Sequence, residues 1–374
     1  MQKLALPALA LSIALLAADP IQVALSVPSG FVLSDAGRVP RARELAVAPN
    51  GDLFVGTSER DVYIIAHPDT TPAAPHVFVT MREGPANGVA FGPDALYVGT
   101  QFRIWRIPYK AGDEKASAPP EPIAAVRTSN EQSDHITTTL AFVNGTLYAS
   151  VGSSCDACDP ELDATRATIQ AMHPDGKDMH PAAIRVRNAV ALAVNPNTGA
   201  VWLGEAGQDY LQPGHPYERV DPFTLHTGVP NYGWPHCVEN RVPVGKYDCG
   251  DVPIPRVVLP AYVTPIGMAI YPQHPNGAHA FPEKYRGGLF IGTHGSWHRP
   301  LRPPRVVFVP LHSDEPEIPV DWKDPNKQWT LFVGGFQNAD ENRTGRATGV
   351  AIGKEGDLYV ADDYRGAVYR IRYQ

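Results

Sequence analysis

The sequence predicts an all-β fold, a six-bladed β-propeller, from three observations. A pattern of an apolar strand, a turn rich in Pro, Gly, Asn or Asp, and a second strand occurs six times along the chain. The 38 Pro and 33 Gly residues among 374 favour short strands. No strong amphipathic helix longer than about three turns is evident. The six copies lie at residues 45–56, 88–99, 139–151, 190–204, 266–292 and 349–361.

Most copies are followed by a third short apolar segment, as expected for propeller blades of three or four strands. These segments lie at residues 62–65, 103–107, 305–309 and 367–371. The spacing between copies is largest after the fourth copy, where residues 211–265 form a Pro-rich segment. Insertions of this kind usually decorate the face that binds ligand, so we expect this segment on the ligand face. No linker divides the chain, which predicts one propeller domain over residues 19–374.

The first 18 residues have the features of a secretory signal peptide. Lys3 supplies the charged start, residues 4–16 are apolar, and Ala17 and Ala18 offer small residues for cleavage. The apolar stretch is too short for a comfortable transmembrane helix, which favours a cleaved signal over an uncleaved anchor. We therefore expect a periplasmic or secreted protein with no integral membrane span after signal removal. The formal net charge of -7, without a basic stripe, makes nucleic acid an unexpected partner.

Four cysteines remain after the signal, and an even number in an oxidising compartment favours disulfide bonds. Of the three possible pairings, sequence proximity favours Cys155–Cys158 and Cys237–Cys249. The alternative for Cys155 and Cys158 is a redox or metal site. Covalent haem attachment is excluded because Asp159, not His, follows Cys158. A zinc site is not supported, because the sequence has no second CxxC motif.

Residues 183–210 predict an inner hairpin with polar residues at one end. Arg187 and Asn188 precede its first strand, and residues 204–209 follow its second strand. Because these ends are neighbours in an antiparallel pair, both residues should share a surface with the backbone of residues 205–208. A guanidinium beside exposed carbonyls suits an anionic ligand that carries a metal ion.

Two other polar residues occupy the equivalent place before an inner strand. His135 precedes the third copy and Arg346 precedes the sixth. The starts of the innermost strands of a propeller open onto the central channel at one face, so these groups should converge with Arg187. Such convergence is expected of an active site, whereas the alternative for His135 is a solvated surface group. Asp362 and Asp363 could bind a metal, but an exposed pair at a strand end is the favoured interpretation.

Several motifs together resemble the soluble quinoprotein sugar dehydrogenases, and in particular the glucose/L-sorbosone dehydrogenase-like group. The resemblance covers roughly residues 45–373 and depends on the order and spacing of the motifs. The motifs are VGSSCDAC at 151–158, RNAV at 187–190, NPNTGAVW at 195–202, NYGWPHC at 231–237, HGSW at 294–297, GR at 345–346, GVA at 349–351 and ADDYRGAVYRI at 361–371.

The resemblance implies a six-bladed propeller that binds pyrroloquinoline quinone (PQQ) and calcium. It implies an exported enzyme that oxidises an aldose-type sugar or sugar aldehyde by hydride transfer to PQQ, with an external electron acceptor. His135 matches the general base that takes the proton of the substrate hydroxyl. Arg187 matches the arginine beside the reactive carbonyl of the cofactor, and Asn188 follows it in the motif.

The resemblance also implies the remaining contacts of the cofactors. Gly207 and Gln208 match the positions whose backbone carbonyls hold calcium. Arg346 matches an arginine that pairs with a carboxylate of the cofactor, and His294 lies near the place where glucose dehydrogenases use a lysine. The residue types fit, because PQQ carries three carboxylates and a neutral imidazole can accept a proton at working pH.

A propeller that has lost the quinone is the alternative hypothesis. It would act as a ligand-binding module or as a metal-dependent lactone hydrolase. The uncharged residues 136–139, and Thr348 where a second arginine of the family is expected, favour it. A hydrolase would need carboxylates on a divalent metal, for which Glu44, Glu205 and Asp209 are the obvious candidates.

Overall fold

The computed structural model describes residues 25–70, 74–127, 134–297 and 301–374. The predicted signal peptide, residues 1–18, lies outside these ranges. The described residues form 28 strands, which make six four-stranded antiparallel sheets and two short hairpins. The prediction of an all-β, six-bladed propeller is therefore confirmed. Within the same ranges no helix has the length and hydropathy needed to cross a membrane.

Each sheet is one blade, and the strands of the first five blades follow one another from the channel outward. Strand β1 (Phe31–Arg38) comes first in the chain but belongs to the sixth blade. The first three blades are β2 (Ala42–Val47), β3 (Leu53–Thr57), β4 (Asp61–Ile65) and β5 (His76–Thr80); β6 (Gly88–Phe91), β7 (Ala95–Gly99), β8 (Arg103–Pro108) and β9 (Glu121–Ala125); and β10 (Thr138–Val143), β11 (Thr146–Val151), β12 (Thr168–Met172) and β13 (His180–Ile184).

The last three blades contain longer connections, with the two hairpins and two 3-10 turns, Phe223–Leu225 and Glu283–Tyr285. The strands in chain order are β14 (Ala189–Val194), β15 (Val201–Glu205), β16 (Glu218–Asp221), the hairpin β17 (Cys237–Val238) and β18 (Val242–Pro243), and β19 (Val257–Leu259); then β20 (Pro265–Ile270), β21 (Leu289–Thr293), β22 (Arg305–Val309), the hairpin β23 (Leu311–His312) and β24 (Glu315–Pro316), and β25 (Thr330–Val333); then β26 (Ala347–Ile352), β27 (Leu358–Asp362) and β28 (Ala367–Tyr373).

The six innermost strands close a ring around a central channel. Each of β2, β6, β10, β14, β20 and β26 lies against the innermost strands of the two neighbouring blades. Six apolar clusters fill the spaces between successive blades. A blade is therefore covered on both faces, which explains why second strands such as β3 and β15 are buried along their whole length.

Strand β1 closes the ring by pairing antiparallel with β28, with Phe31 opposite Tyr373. The first and the last strand, β1 and β28, thus lie side by side in the same blade. Phe31 is 9% exposed and packs edge to face against Phe281, Tyr285 and Phe332, at centroid distances of 4.7, 5.4 and 5.1 Å. The closing strand is therefore held by both a hydrogen-bonded ladder and an aromatic cluster.

Replacing Phe31 by Ala should lower the free energy of unfolding by about 3–5 kcal/mol, because a buried aromatic side chain is lost from a packed cluster. Denaturant unfolding measures the change. Ser34→Ala, an exposed change on the same strand, is the matched control and should stay within about 0.5 kcal/mol of wild type. A loss below about 1 kcal/mol for Phe31→Ala would mean that the aromatic cluster does not anchor the closing strand.

Four of the inner strands are irregular where they begin. The strand register shifts within residues 42–45, 189–191, 265–267 and 347–350. β-Bulges at strand starts redirect side chains and are common beside active sites. Neighbouring blades also approach closely here, because a Cβ on Gly349 would lie 2.2 Å from the carbonyl oxygen of Arg43. We therefore expect polar side chains to point into the channel at this end of the ring.

The Pro-rich segment, residues 211–265, is only partly an insertion. Its β16 and β19 are the third and fourth strands of the fourth blade, and residues 222–256 form the connection between them. Both predicted disulfide bonds, Cys155–Cys158 and Cys237–Cys249, are present. The second disulfide lies within this connection and closes part of it.

Candidate active site

Arg187 and Asn188 lie beside the end of β15, as the hairpin pattern predicts. The ladder pairs Ala189 with Glu205, which brings the start of β14 against the end of β15. The backbone N–H of Arg187 donates to Oε1 of Glu205 at 2.6 Å, and its Nη1 donates to the carbonyl of Ala206 at 3.0 Å. The backbone N–H of Ala206 in turn donates to the carbonyl of Asn188 at 2.9 Å.

The surroundings of Arg187 are acidic. Its Nη2 donates to Asp156 at 2.8 Å and to Asp209 at 3.0 Å, and its side chain is 4% exposed. Glu205 also pairs with Arg219 at 3.1 Å. Three carboxylates therefore surround two guanidinium groups, and this side of the site carries a negative excess that a bound cation would balance.

His135 lies at the same mouth of the channel as Arg187. Its Nδ1 is 3.0 Å from both the carbonyl oxygen and the Oγ of Ser153, and the backbone N–H of Ser153 donates to the carbonyl of Arg187 at 2.7 Å. A carbonyl only accepts, so Nδ1 carries the proton and the lone pair is on Nε2. Burial, and then the charge of Arg187, lower the pKa of His135 to about 3, which keeps the imidazole neutral.

Arg127, which no sequence motif indicates as a site residue, fixes the backbone that carries His135. Its guanidinium is buried and donates from Nε to the carbonyl of His135 at 3.0 Å. It also donates to the carbonyl of Thr137 at 2.5 Å and to the Oγ1 of Thr138 at 2.6 Å. A buried arginine with four backbone or hydroxyl acceptors has no local sequence pattern, so only the fold reveals this role.

Asp363 is the centre of a second group of charges, which we call the cation cluster: Arg43, His294, Arg346 and Asp363. Arg346 binds Asp363 through Nε at 2.6 Å and Nη2 at 3.0 Å, and Arg43 donates to it at 3.2 Å. Nε2 of His294 is 3.1 Å from the same carboxylate. The cluster gathers residues from three blades at one point.

The interpretation of Asp362 and Asp363 as an exposed pair is wrong. Asp362 is fully buried and Asp363 is 5% exposed. Burial would raise the pKa of Asp363, but its hydrogen bonds with His294 and Arg346 and the charge of Arg43 hold it well below its usual range. The reason for the error is the packing of adjacent blades, which covers the end of β27 on both sides.

A chain of hydrogen bonds joins the two groups of charges. Glu218 accepts from the backbone N–H of Gly207 at 2.6 Å and from that of Thr264 at 3.2 Å. The carbonyl of Thr264 accepts from the backbone N–H of His294 at 3.0 Å, and His294 reaches Asp363. Burial raises the pKa of Glu218 to about 7. All the site residues predicted from the sequence therefore lie along one mouth of the channel, although their roles stay predictions.

Oxygen atoms around Gly207 and Gln208 fit a hard cation such as calcium. Gln208 is 5% exposed, and its Oε1 is buried without a hydrogen-bond partner. Between described residues, no hydrogen bond uses the carbonyl oxygens of Gly207 or Gln208. Within the described ranges no group of three or more His, Cys, Asp or Glu side chains could hold a metal. A cation here would thus depend on carbonyl and amide oxygens, beside the carboxylate of Asp209.

The cation cluster fits an anionic group. Burial, more than any other cause, lowers the pKa of His294 to about 4, so this imidazole is neutral and the two arginines exceed the one aspartate in charge. The Nε of Arg43 is buried without a hydrogen-bond partner, which leaves a donor for a carboxylate. Glu44 does not cancel this excess, because burial raises its pKa to about 8. Thr348 is fully buried and donates to the carbonyl of Ala42 at 3.1 Å.

A pocket borders Arg187 at this mouth. Gln208, Tyr217, Trp234 and Glu239 are among its lining residues, and the indole of Trp234 comes from the Pro-rich segment. The opposite mouth of the channel is different, because apolar ends of the inner strands line it. The polar site residues predicted from the sequence therefore lie at the mouth where the inner strands begin.

Comparison with known proteins extends these findings. No protein-family model matches the chain. An uncharacterised protein of Borreliella burgdorferi is 22% identical over 376 residues, which cover 96% of this chain and 93% of that protein. That relative therefore spans nearly the same length.

Several solved structures have a similar fold. The holo form of the pyranose dehydrogenase PQQ domain from Coprinopsis cinerea has a TM-score of 0.78 and 18% identity, and covers 94% of this chain and 97% of that chain. A calcium structure of a carbohydrate-active enzyme of family AA12 from Trichoderma reesei has a TM-score of 0.77 and 17% identity, over 94% and 98%.

The PQQ-bound form of aldose sugar dehydrogenase from Streptomyces coelicolor has a TM-score of 0.63 and 17% identity, over 93% of this chain and 99% of that chain. At identities this low, the structural likeness establishes the fold alone. At the level of the fold, the resemblance noted in the sequence is confirmed. The chain has the six-bladed propeller fold of the solved PQQ-dependent sugar dehydrogenases.

Proposed function

We propose that the protein is an exported, PQQ- and calcium-dependent dehydrogenase that oxidises an aldose-type sugar or sugar aldehyde. The observation that carries the proposal is His135, a neutral imidazole with its Nδ1–H held by Ser153, beside Arg187 and on the same mouth as the cation cluster. The similar solved structures include PQQ-bound and calcium-bound sugar-active proteins, which supports both cofactors.

His135 is the general base of the proposed reaction. Its Nε2 accepts the proton of the sugar hydroxyl while Ser153 holds the other ring nitrogen, so that the ring keeps the tautomer that the reaction needs. PQQ, when bound, supplies the acceptor for the hydride that leaves the sugar carbon. Arg187 would supply a positive charge for the negative charge that develops on the bound cofactor, and Asn188 lies next to it against Gly152.

The remaining residues bind the cofactors. Arg346 and Arg43 present the excess positive charge of the cation cluster to carboxylates, and the neutral imidazole of His294 lies beside them. Gly207 and Gln208 supply oxygen ligands for calcium. The two disulfide bonds support export to the periplasm or medium, because such bonds persist in oxidising compartments. Reduced cofactor would be reoxidised by an external electron acceptor.

The alternative, a metal-dependent lactone hydrolase, needs carboxylates that can bind a divalent cation. Glu205 and Asp209 are both paired with arginine, at 3.1 Å from Arg219 and 3.0 Å from Arg187. Glu44 is uncharged at neutral pH because burial raises its pKa to about 8. The carboxylates that the alternative requires are therefore engaged or protonated, and the dehydrogenase is favoured.

Titration of the apoprotein with PQQ in the presence of calcium tests the proposal. We expect a saturable change in quinone absorbance, and dye reduction when a sugar from a panel of aldoses is added. Arg346→Ala should weaken PQQ binding about tenfold or more, since one charge-assisted pair is lost. The matched control is Arg38→Ala, an exposed arginine that pairs with Asp35 on β1. No absorbance change, or lactone hydrolysis without quinone, would overturn the proposal.

A further inference from the structure

One short loop contacts both candidate catalytic groups. We call residues 152–158 the disulfide loop, because the Cys155–Cys158 bond closes its second half. At its start, the carbonyl and hydroxyl oxygens of Ser153 each lie 3.0 Å from Nδ1 of His135. Within the closed part, Asp156 accepts from Arg187 through Oδ1 at 2.8 Å and through its carbonyl at 3.2 Å. The base and the guanidinium are thus held by the same few residues.

The loop also packs directly beneath the site. A Cβ on Gly152 would lie 2.6 Å from the Cβ of His135 and 2.5 Å from Oδ1 of Asn188. Only glycine allows this approach, so the loop backbone lies in contact with two site residues. A shift of the loop would therefore move the side chains that rest on it.

The two ends of the loop are coupled through Cys155. The hydroxyl of Ser153 donates to the carbonyl of Cys155 at 2.7 Å, so the residue that holds His135 is tied to the disulfide. Asp156 lies inside the closed ring and is braced from outside by the backbone N–H of Asp209 at 2.8 Å and by Nε1 of Trp234 at 3.0 Å. Closing the ring limits the positions that Asp156 can take.

From these contacts we propose that Ser153 and Asp156, fixed by the Cys155–Cys158 disulfide, are positioning residues that hold His135 and Arg187 in their working geometry. The inference rests on the proposed function for its effect on turnover, but the positioning itself is a property of the apoprotein. Small displacements of catalytic groups reduce rates strongly. Loosening the loop should therefore have a larger effect on turnover than on the stability of the fold.

Two readouts separate this inference from the proposed function. In the apoprotein, the imidazole nitrogen signals of His135 by NMR should report one tautomer, with the proton on Nδ1. The Cys155→Ser, Cys158→Ser double variant should give a mixture of tautomers. This measurement needs no cofactor, so it decides the inference even if the protein fails to bind PQQ. Unchanged His135 signals in the open-loop variant would overturn it.

The second readout is turnover of the PQQ-loaded enzyme. Asp156→Ala should lower kcat about tenfold to a hundredfold with a smaller change in KM, and Asp156→Asn, which keeps an Oδ1 acceptor, should recover most of it. Asp159→Ala is the matched control, because Asp159 directly follows the loop and pairs with Arg185 and His236 on the outside. If the open-loop variant does not fold, the Asp156 pair decides alone, and equal kcat for Asp156→Ala and wild type overturns the inference.

Discussion

Replacing His135 by Ala should abolish most turnover while the affinity of the apoprotein for PQQ stays within a few-fold of wild type. Positioned general bases contribute about 10²–10⁴-fold to rates, and no second imidazole is hydrogen-bonded to Ser153 in the described part of the chain. The cation cluster, which would bind the anionic cofactor, does not use His135. Dye-coupled kcat and absorbance titration of the same preparation measure the two quantities separately.

The pH dependence of turnover gives a further measurement on His135. Burial and Arg187 lower the pKa of His135 to about 3, so the base remains neutral at pH values where an ordinary imidazole, with a pKa of about 6.5, is protonated. We therefore expect the acid limb of kcat/KM to lie well below pH 6.5. A limb near the ordinary imidazole value would contradict this assignment of the proton acceptor.

The same shift affects stability, with a definite sign. Between the lowered pKa of about 3 and the ordinary value of about 6.5, the unfolded chain binds a proton at this residue and the folded chain does not. His135 therefore makes stability fall as pH decreases through this window, and His135→Ala should flatten that fall. His173→Ala, which removes an exposed histidine beside Asp178, is the matched control and should leave turnover unchanged. Full activity of His135→Ala would place the base elsewhere.

The fold was predictable because the blades repeat a local pattern. Each inner hairpin carries apolar residues bounded by turn residues, as in β14 and β15, and that pattern is visible without any tertiary contact. The position of Arg187 followed from the same hairpin. Strands β16 and β19 do not show this pattern, because they are only four and three residues long and β16 reads Glu-Arg-Val-Asp without apolar alternation.

The cation cluster was only half predictable. Motifs indicate Arg346 and His294, whereas no local pattern assigns Arg43 or Asp363 to the cofactor site. Arg43 and Asp363 are 320 residues apart in sequence, and their pairing depends on closure of the ring between the first and last blades. A local pattern shows an Asp at a strand end, but only the neighbouring blades show that it is buried. Ion pairs between residues far apart in the sequence are thus the part of the site that composition and periodicity do not predict.

Asp363→Ala should lower the free energy of unfolding of the apoprotein by about 3–5 kcal/mol, the usual result of removing one partner from a buried ion pair. The Asp363 side chain is 4% exposed and that of Arg43 is 11% exposed, so water cannot replace the lost carboxylate well. The pKa of Asp363 is held below its usual range, so its stabilisation is present at neutral pH and is lost only in strong acid. Denaturant unfolding at neutral pH measures the loss.

The same variant should respond more strongly to an anion than wild type does. Without Asp363, the two arginines of the cation cluster have no carboxylate between them, and a tricarboxylate such as PQQ restores one. A ligand that binds only the folded state raises the unfolding temperature. The rise at saturating PQQ should therefore be larger for Asp363→Ala than for wild type. Asp94→Ala, which breaks an exposed pair with Arg106, should cost no more than about 1 kcal/mol and leave the response to PQQ unchanged. An Asp363→Ala protein as stable as wild type, or one that PQQ stabilises less, would show that the arginines are held by other contacts and that the cluster does not face the anion.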